Sequence, residues 1–298
     1  MNIYKREQFK RFTKRFFEDL TNPMIFIKVF TKPWRIPNAI FSLFKNINSI
    51  KNNVVFRPDT VEELLSRENS NIEALVTLSG NYHNIKKIKN IIDVFPQEEV
   101  NQSDLNVFAN LLDNYGSDKV RWNYHIAYLT ILKNKKNQPI NTLEIGLGTN
   151  NIDVLSNMGI NGKPGASLRA FRDMYPKAQV FGADIDKRIL FTEDRIITLY
   201  VDQTNPDTLS ELKEQLGNLK FDLIIDDGLH NAQANLNTMN FALEMLKDDG
   251  VFVIEDISEN DFKYYKIVEA ILGDRFFVDF INTNSAHICV FRRKNSVL

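Results

Sequence analysis

The sequence predicts an α/β fold in which a mostly parallel sheet carries helices on both faces. After residue 138, short apolar runs alternate with amphipathic ones, a pattern typical of parallel strands joined by crossover helices. The first apolar run ends in a turn containing Gly146 and Gly148, and glycines at such a strand end let the backbone approach a ligand closely. The last two runs are separated by a short turn, which predicts a terminal antiparallel hairpin.

The elements follow in order along the chain. Two helices, near residues 103–112 and 122–129, lead into the sheet. Strands are predicted at residues 142–145, 180–183, 197–201, 223–225, 251–254, 276–281 and 286–291, and helices at 168–174, 208–216, 232–246 and 262–272. The prediction is therefore a Rossmann-like, doubly wound, mostly parallel seven-stranded sheet with a terminal antiparallel hairpin. Cys289, in the last strand, is expected to be buried.

The N-terminal part has a different texture. We predict a mostly helical auxiliary region at residues 1–100 and the sheet domain at residues 101–298. Before residue 57, basic residues far outnumber acidic ones and aromatic residues are interleaved with them. This segment is either a surface for anionic membrane or a phosphorylated substrate, or an amphipathic helical segment that packs its aromatic residues on the sheet domain. We favour the second interpretation because basic stripes are common on ordinary helices.

Composition narrows the class of protein. The net charge of −1 gives no indication of a nucleic-acid partner. A single cysteine excludes a disulfide within the chain. We find no apolar run of the length that a signal peptide or a membrane-spanning helix requires. The expectation is a cytoplasmic protein, and the exposed aromatic residues of the N-terminal segment make a homo-oligomer plausible.

The first strand end favours a sulfonium cofactor over a dinucleotide. Glu144 lies just before the glycine turn, where its carboxylate can face a cation and would repel a pyrophosphate. The third glycine of the dinucleotide pattern is absent, since position 151 is Asn. A nicotinamide-dependent oxidoreductase is therefore the least favoured class.

Polar residues also end the next two strands. Asp184 ends the second strand, where an acid can accept both ribose hydroxyls; the alternative is a helix N-cap. Asp202 and Gln203 end the third strand and can reach the adenine edge. For these two residues an ordinary loop start is an equally good interpretation.

Four carboxylates and one imidazole follow the fourth and fifth strands. Parallel strands bring their C-terminal ends to the same edge of a sheet. Like charges crowded there are unfavourable unless a cation offsets them, and carboxylate oxygens suit a hard ion such as Mg²⁺. The alternative is that the acids cap helices and the histidine is structural. The residues are Asp226, Asp227, His230, Glu255 and Asp256.

The ordered set of glycine turn, second-strand acid, third-strand polar pair and terminal hairpin resembles the class I S-adenosylmethionine-dependent methyltransferases over about residues 143–291. One departure is that the glycine turn and Asp184 lie about twice as far apart as the usual ~20 residues. We predict that the extra segment, residues 150–166, forms a loop over the methionine end of the cofactor and that Ser167 caps the next helix. The resemblance implies a cofactor-binding set of Glu144, Gly146, Gly148, Ser167, Asp184, Asp202, Gln203 and Asp226.

Within that class, residues 226–230 (Asp-Asp-Gly-Leu-His) and 254–256 (Ile-Glu-Asp) resemble the metal-dependent sugar O-methyltransferases of macrolide biosynthesis, the mycinamicin and macrocin type. Residues 116–119 (Gly-Ser-Asp-Lys) and 165–169 (Gly-Ala-Ser-Leu-Arg) are also similar, as are Tyr124 and Tyr128. Leu229 stands where a small Ser is usual in that family, a mild departure that would reshape the pocket.

The resemblance implies a role for each acid. Asp227, Glu255 and Asp256 would bind Mg²⁺, and Asp227 would also count with His230 as catalytic. His230 would be the general base, and Asp226 would serve the cofactor side or orient His230.

The predicted function is methyl transfer from S-adenosylmethionine to a hydroxyl of a sugar, free, nucleotide-linked or part of a glycosylated small molecule. A methyltransferase for catechol-like acceptors is the first alternative, because vicinal hydroxyls on a metal serve that reaction too. A non-catalytic cofactor-binding protein with a partner-docking or membrane-docking N-terminal region is the second.

Overall fold

The computed structural model describes residue 75 and residues 88–96, 100–284 and 286–294, apart from the side chain of residue 260. The basic aromatic segment and most of the predicted helical region lie outside the described residues, so the boundary at residue 100 stays a prediction. Within the described residues, no helix is long and apolar enough to cross a membrane.

The elements match the predicted order from residue 101 onward. The strands are β1 (Lys89–Asn90), β2 (Asn141–Ile145), β3 (Gln179–Asp184), β4 (Thr192–Glu193), β5 (Ile196–Tyr200), β6 (Phe221–Asp226), β7 (Leu246–Ile254), β8 (Phe276–Asn282) and β9 (His287–Arg293). The helices are α1 (Ile91–Val94), α2 (Gln102–Tyr115), α3 (Tyr124–Ile131), α4 (Ala166–Met174), α5 (Pro206–Leu216), α6 (Ala232–Met245) and α7 (Phe262–Leu272).

The strands form one sheet in the order β1-β8-β9-β7-β6-β2-β3-β5-β4. The central pairs are parallel, whereas β9 runs antiparallel to both β7 and β8. This confirms the predicted fold class and its terminal hairpin. The two-residue strands β1 and β4 extend the predicted seven strands at the two edges, and runs that short carry no readable periodicity.

Apolar side chains of the strands alternate between two core clusters, one on each face of the sheet. In β7, Val251 and Val253 belong to one cluster, and Phe252 and Ile254 belong to the other. Helices α2, α3 and α4 cover the first face, and α5, α6 and α7 cover the second. Burial on both faces explains why these strands read as continuous apolar runs. Cys289 is buried in β9, as expected.

The start of α4 corrects one prediction. Gly165 is the N-cap residue, with φ of 72° and no side-chain cap, and the helix begins at Ala166. The prediction that Ser167 caps this helix is therefore wrong. A left-handed glycine already turns the chain into the helix, and the Ser167 hydroxyl donates instead to Glu144 Oε2 at 2.5 Å.

Candidate active site

The chain reverses its winding between β2 and β6, and this position defines a cleft at the C-terminal edge of the sheet. Ile145 of β2 is in register with Asp226 of β6, which is in turn in register with Ile254 of β7. The residues that follow these strand ends therefore meet at one edge of the sheet, as the sequence predicted.

A glycine is required where the ends of β2 and β6 touch. The Asp227 N–H donates to the carbonyl of Ile145 at 2.8 Å, which brings the two turns together. A Cβ at Gly146 would lie 2.0 Å from the carbonyl oxygen of Asp227, and Gly146 has φ of 95°. Both the close approach and the left-handed backbone favour glycine over any other residue here.

The cleft has a polar floor and an apolar wall. Gly146, Asp184 and Gly228 line it at the strand ends. Ile185 and Leu229 line it with aliphatic side chains, and Ile185 is 45% exposed. A slot with one apolar side and carboxylate and amide groups at its edge suits a flat heterocycle joined to a polar sugar.

Asp184 fixes the glycine turn from below. Its Oδ2 accepts from the Leu147 N–H at 2.7 Å and its Oδ1 from the Asp186 N–H at 2.8 Å. Burial raises the pKa of Asp184, and these backbone donors oppose that rise. Of the other polar residues predicted at strand ends, Asp202 and Gln203 also line the cleft, and Asp202 Oδ1 accepts from the Thr204 N–H at 2.9 Å.

Asp226 lies beneath the cleft and not in it. Its side chain is fully buried; Oδ1 accepts from Gln203 Nε2 at 2.6 Å and Oδ2 from Asn235 Nδ2 at 2.9 Å. The Oε1 of Gln203 accepts from the Leu229 N–H at 2.9 Å. The pair thus holds the turn that carries His230, and the structure does not bring the Asp226 carboxylate to the predicted cofactor cleft.

Glu144 faces a cation that the sequence analysis missed. Its Oε2 accepts from Ser167, and its Oε1 lies 3.1 Å from the ammonium nitrogen of Lys119. The same nitrogen lies 2.7 Å from Asp227 Oδ2 and 2.7 Å from Glu255 Oε2. The only sequence signal was the resemblance of residues 116–119, since a buried lysine is recognisable only from the partners that the fold brings to it.

Two tyrosines of α3 hold the acids that follow β7. The Tyr128 hydroxyl donates to Glu255 Oε1, and the Tyr124 hydroxyl donates to Asp256 Oδ1 at 2.5 Å. Burial and the nearby carboxylates raise the pKa of Tyr124, so it stays a donor. Both oxygens of Glu255 are thus engaged, by Lys119 and by Tyr128.

His230, Asp227 and Asp256 converge at the mouth of the site. One ligand atom of each lies within 4.8 Å of the others. His230 Nε2 is 3.8 Å from Asp227 Oδ1 and 4.0 Å from Asp256 Oδ2, and its side chain is 35% exposed. His230 and Asp256 have φ of 54° and 52°, an uncommon backbone for residues other than glycine that often marks functional positions.

The carboxylates of the site suit a divalent ion, but the three predicted ligands, Asp227, Glu255 and Asp256, are not placed alike. Carboxylate oxygens that face a partly open space fit the preference of Mg²⁺ for a few protein oxygens and several waters. Asp227 and Asp256 each present an oxygen near His230. Glu255 lies deeper. Burial and the charge of Asp227 raise its pKa, and Lys119 offsets only part of that rise.

The long segment before α4 is anchored beside the glycine turn. Asp186 Oδ2 accepts from Thr149 Oγ1 at 2.6 Å and from Asn151 Nδ2 at 2.7 Å. Arg188 hydrogen-bonds to the same carboxylate and lowers the pKa of Asp186. Ser156, farther along this segment, lines the cleft. The segment therefore borders the predicted cofactor site, which favours the predicted covering loop.

Comparison with known proteins gives partial matches. No protein-family model matches the chain. It is 31% identical over 137 residues to the 8-demethyl-8-(2-methoxy-α-L-rhamnosyl)-tetracenomycin-C 3'-O-methyltransferase of Streptomyces olivaceus, which is 46% of this chain and 31% of that protein. It is 32% identical over 123 residues to the mycinamicin VI 2''-O-methyltransferase of Micromonospora griseorubida, 41% of this chain and 28% of that protein. The match thus spans about a third of the length of these relatives.

A solved structure supports the fold. The MycE methyltransferase from the mycinamycin biosynthetic pathway, in complex with Mg, SAH and mycinamycin VI, aligns with a TM-score of 0.50 and 19% identity, over 62% of this chain and 53% of that chain. The sheet of the described residues is thus a Rossmann-like fold similar to that of this methyltransferase. In sequence, the chain resembles sugar O-methyltransferases, among them those of macrolide biosynthesis, which confirms the resemblance inferred from its motifs.

Proposed function

We propose that the protein is an S-adenosylmethionine-dependent, Mg²⁺-dependent O-methyltransferase whose acceptor is a hydroxyl of a sugar, free, nucleotide-linked or part of a glycosylated small molecule. The observation that carries the proposal is the convergence of Asp227, His230 and Asp256 beside the cleft at the C-terminal edge of the sheet. The names of the relatives support a sugar hydroxyl as acceptor.

The cofactor supplies an electrophilic methyl group when it is bound. Gly146 has no side chain, so the cofactor could approach the backbone of the turn closely. Gly148 (φ 73°) continues this turn beside the long loop. Asp184 and Asp202 would bind the ribose and the adenine edge, and Ile185 would pack on the adenine ring. We assign Gln203 and Asp226 to positioning the next turn, because their polar groups bond to each other and to that turn.

A divalent cation, when bound, supplies a Lewis acid that lowers the pKa of a nearby hydroxyl. Asp227 and Asp256 would hold it through the oxygens that face His230. An imidazole nitrogen that coordinates an ion cannot also accept a proton. We therefore propose that His230 Nε2 accepts the proton of the acceptor hydroxyl. This general-base role is worth about 10²–10⁴-fold in rate. Glu255 supports the site from behind, through Lys119 and Tyr128.

The proposal is tested with purified protein in two steps. Calorimetry with S-adenosylhomocysteine should give one site per chain. Transfer of a labelled methyl group should then be measured on glycosylated, nucleotide-sugar and catechol acceptors, after chelation and after Mg²⁺ is restored. We expect transfer to a sugar hydroxyl that stops on chelation and returns with Mg²⁺. Protein that binds neither S-adenosylmethionine nor S-adenosylhomocysteine would refute the proposal. Transfer only to catechols would refute a sugar hydroxyl as the acceptor and establish a catechol-like acceptor instead.

A further inference from the structure

Lys119 is a buried cation inside the acid cluster. It lies in the 3₁₀ turn Asp118–Val120 between α2 and α3, and its side chain is only 3% exposed. Its ammonium group has three N–H donors and meets three carboxylates, of Glu144, Asp227 and Glu255, at 3.1, 2.7 and 2.7 Å. Those carboxylates come from three neighbouring strand ends, so one side chain links β2, β6 and β7.

The remaining oxygens of these carboxylates point in different directions. The second oxygen of Glu144 accepts from Ser167, and that of Glu255 accepts from Tyr128. The second oxygen of Asp227 faces His230 at 3.8 Å, on the open side of the site. Lys119 thus pins Asp227 by one oxygen and leaves the other directed toward the place where a cation would bind.

The charges show what Lys119 must do. The buried carboxylates of Glu144 and Glu255 and the partly buried carboxylate of Asp227 share one small volume and repel one another, and an unpaired buried charge is strongly unfavourable. A lysine ammonium among them offsets one charge at all times. It also repels a second cation that binds within a few ångströms of the same oxygens.

We propose that Lys119 is a resident cation of the acid cluster, which holds Asp227 and Glu255 in place when no divalent ion is bound and which weakens the binding of that ion. The inference rests on the proposed function in one respect, that a divalent ion binds at Asp227 and Asp256. It makes Lys119 a positioning residue, because it acts through Asp227 and Glu255 and not on the substrate.

The experiment compares Lys119→Met with a matched control, Lys135→Met. Lys135 also bridges two carboxylates, Asp222 at 2.8 Å and Asp249 at 2.6 Å, and is mostly buried. Asp222 lies near the start of β6, at the sheet edge opposite the site. Asp222 keeps Lys247 at 2.7 Å and Asp249 is 52% exposed, so the control reports the effect of losing a bridging lysine outside the acid cluster.

Two quantities are measured on the full chain: the thermal unfolding midpoint after chelation and at saturating Mn²⁺, and the Mn²⁺ dissociation constant from the electron paramagnetic resonance signal of the free ion. Without metal, Lys119→Met should lose more stability than Lys135→Met. Mn²⁺ should restore much of the loss only in Lys119→Met, and that variant should bind Mn²⁺ about tenfold or more tightly than the unmodified protein.

Unchanged or weaker Mn²⁺ binding by Lys119→Met would overturn the inference, as would equal metal-free losses in the two variants. If Lys119→Met does not fold without metal, the double variant Lys119→Met/Glu255→Gln removes one charge of each sign. Lys119→Met is then purified with Mn²⁺, and both variants are measured after chelation. The double variant should have the higher thermal midpoint, and an equal or lower midpoint would count against the inference.

The proposed function can fail separately. Unmodified protein that binds S-adenosylhomocysteine but no Mn²⁺ would remove the metal from the proposed function, and this inference with it. Unmodified protein that binds Mn²⁺, with Lys119→Met behaving like Lys135→Met, would overturn the inference alone.

Discussion

Replacing Gly146 by alanine should damage both the fold and the cofactor site, because the added methyl group has no space. Its Cβ would lie 2.0 Å from the carbonyl oxygen and 2.5 Å from the carbonyl carbon of Asp227, both of them backbone atoms. The left-handed φ of 95° adds a second cost, about 1–2 kcal/mol for a residue with a Cβ. Relief of the overlap costs about 1–3 kcal/mol more, which makes a total of about 2–5 kcal/mol.

Gly159→Ala is the matched control for this prediction. Gly159 also has a positive φ, of 73°, but nothing lies within 4 Å of its hypothetical Cβ. It should lose only the backbone term of about 1–2 kcal/mol. The assay is urea unfolding of both variants, combined with calorimetric binding of S-adenosylhomocysteine.

The two variants should also differ in ligand binding. To relieve the overlap, the turn at Gly146 must move away from Asp227, so Gly146→Ala should lose most of its affinity for S-adenosylhomocysteine. The reasoning is refuted if Gly146→Ala unfolds at the same urea concentration as Gly159→Ala and still binds the ligand with unmodified affinity.

Three further outcomes are expected. His230→Ala should lower turnover by about 10²–10⁴-fold while S-adenosylhomocysteine binding is retained; turnover within about tenfold of the unmodified enzyme would remove His230 as the base. Asp226→Asn sets an amide N–H₂ against donor amides in a fully buried site and should lower the free energy of unfolding in urea by about 1–3 kcal/mol. An unchanged midpoint would contradict the role of Asp226 as a buried acceptor for both amides. Burial alone would raise the pKa of Asp279, but hydrogen bonds from Lys89 and Arg292 lower it overall. The stability that ionised Asp279 contributes is therefore fully present above the pKa of about 3.9 that it has in the unfolded chain. It is lost as the pH falls through the lower pKa of the folded protein. Urea midpoints measured from about pH 6 to pH 3 should fall more steeply for the unmodified protein than for Asp279→Asn, and parallel curves would refute this assignment.

Much of the fold follows from local pattern, because apolar alternation and strand-ending turns are properties of neighbouring residues. The apolar run at residues 251–254 predicted the end of β7, and its side chains do divide between the two faces. The edge strands β1 and β4 were missed because two residues carry no period. The prediction of a Ser167 cap was wrong because the local preference for Ser at helix starts competes with a left-handed Gly165 two residues earlier.

The site divides in the same way. Its acids could be placed at one sheet edge from the sequence alone, because each of them follows an apolar run and parallel strands align their ends. Which oxygen each acid offers was decided only by tertiary structure. Asp226 turns inward to Gln203, Glu255 is taken by Lys119 and Tyr128, and Asp227 keeps one oxygen toward His230. Gln203, Lys119 and Tyr128 lie far along the chain from the acids that they contact, and a hydrogen bond forms only between groups that the fold brings within about 3 Å. The spacing of residues along the sequence carries no record of that distance.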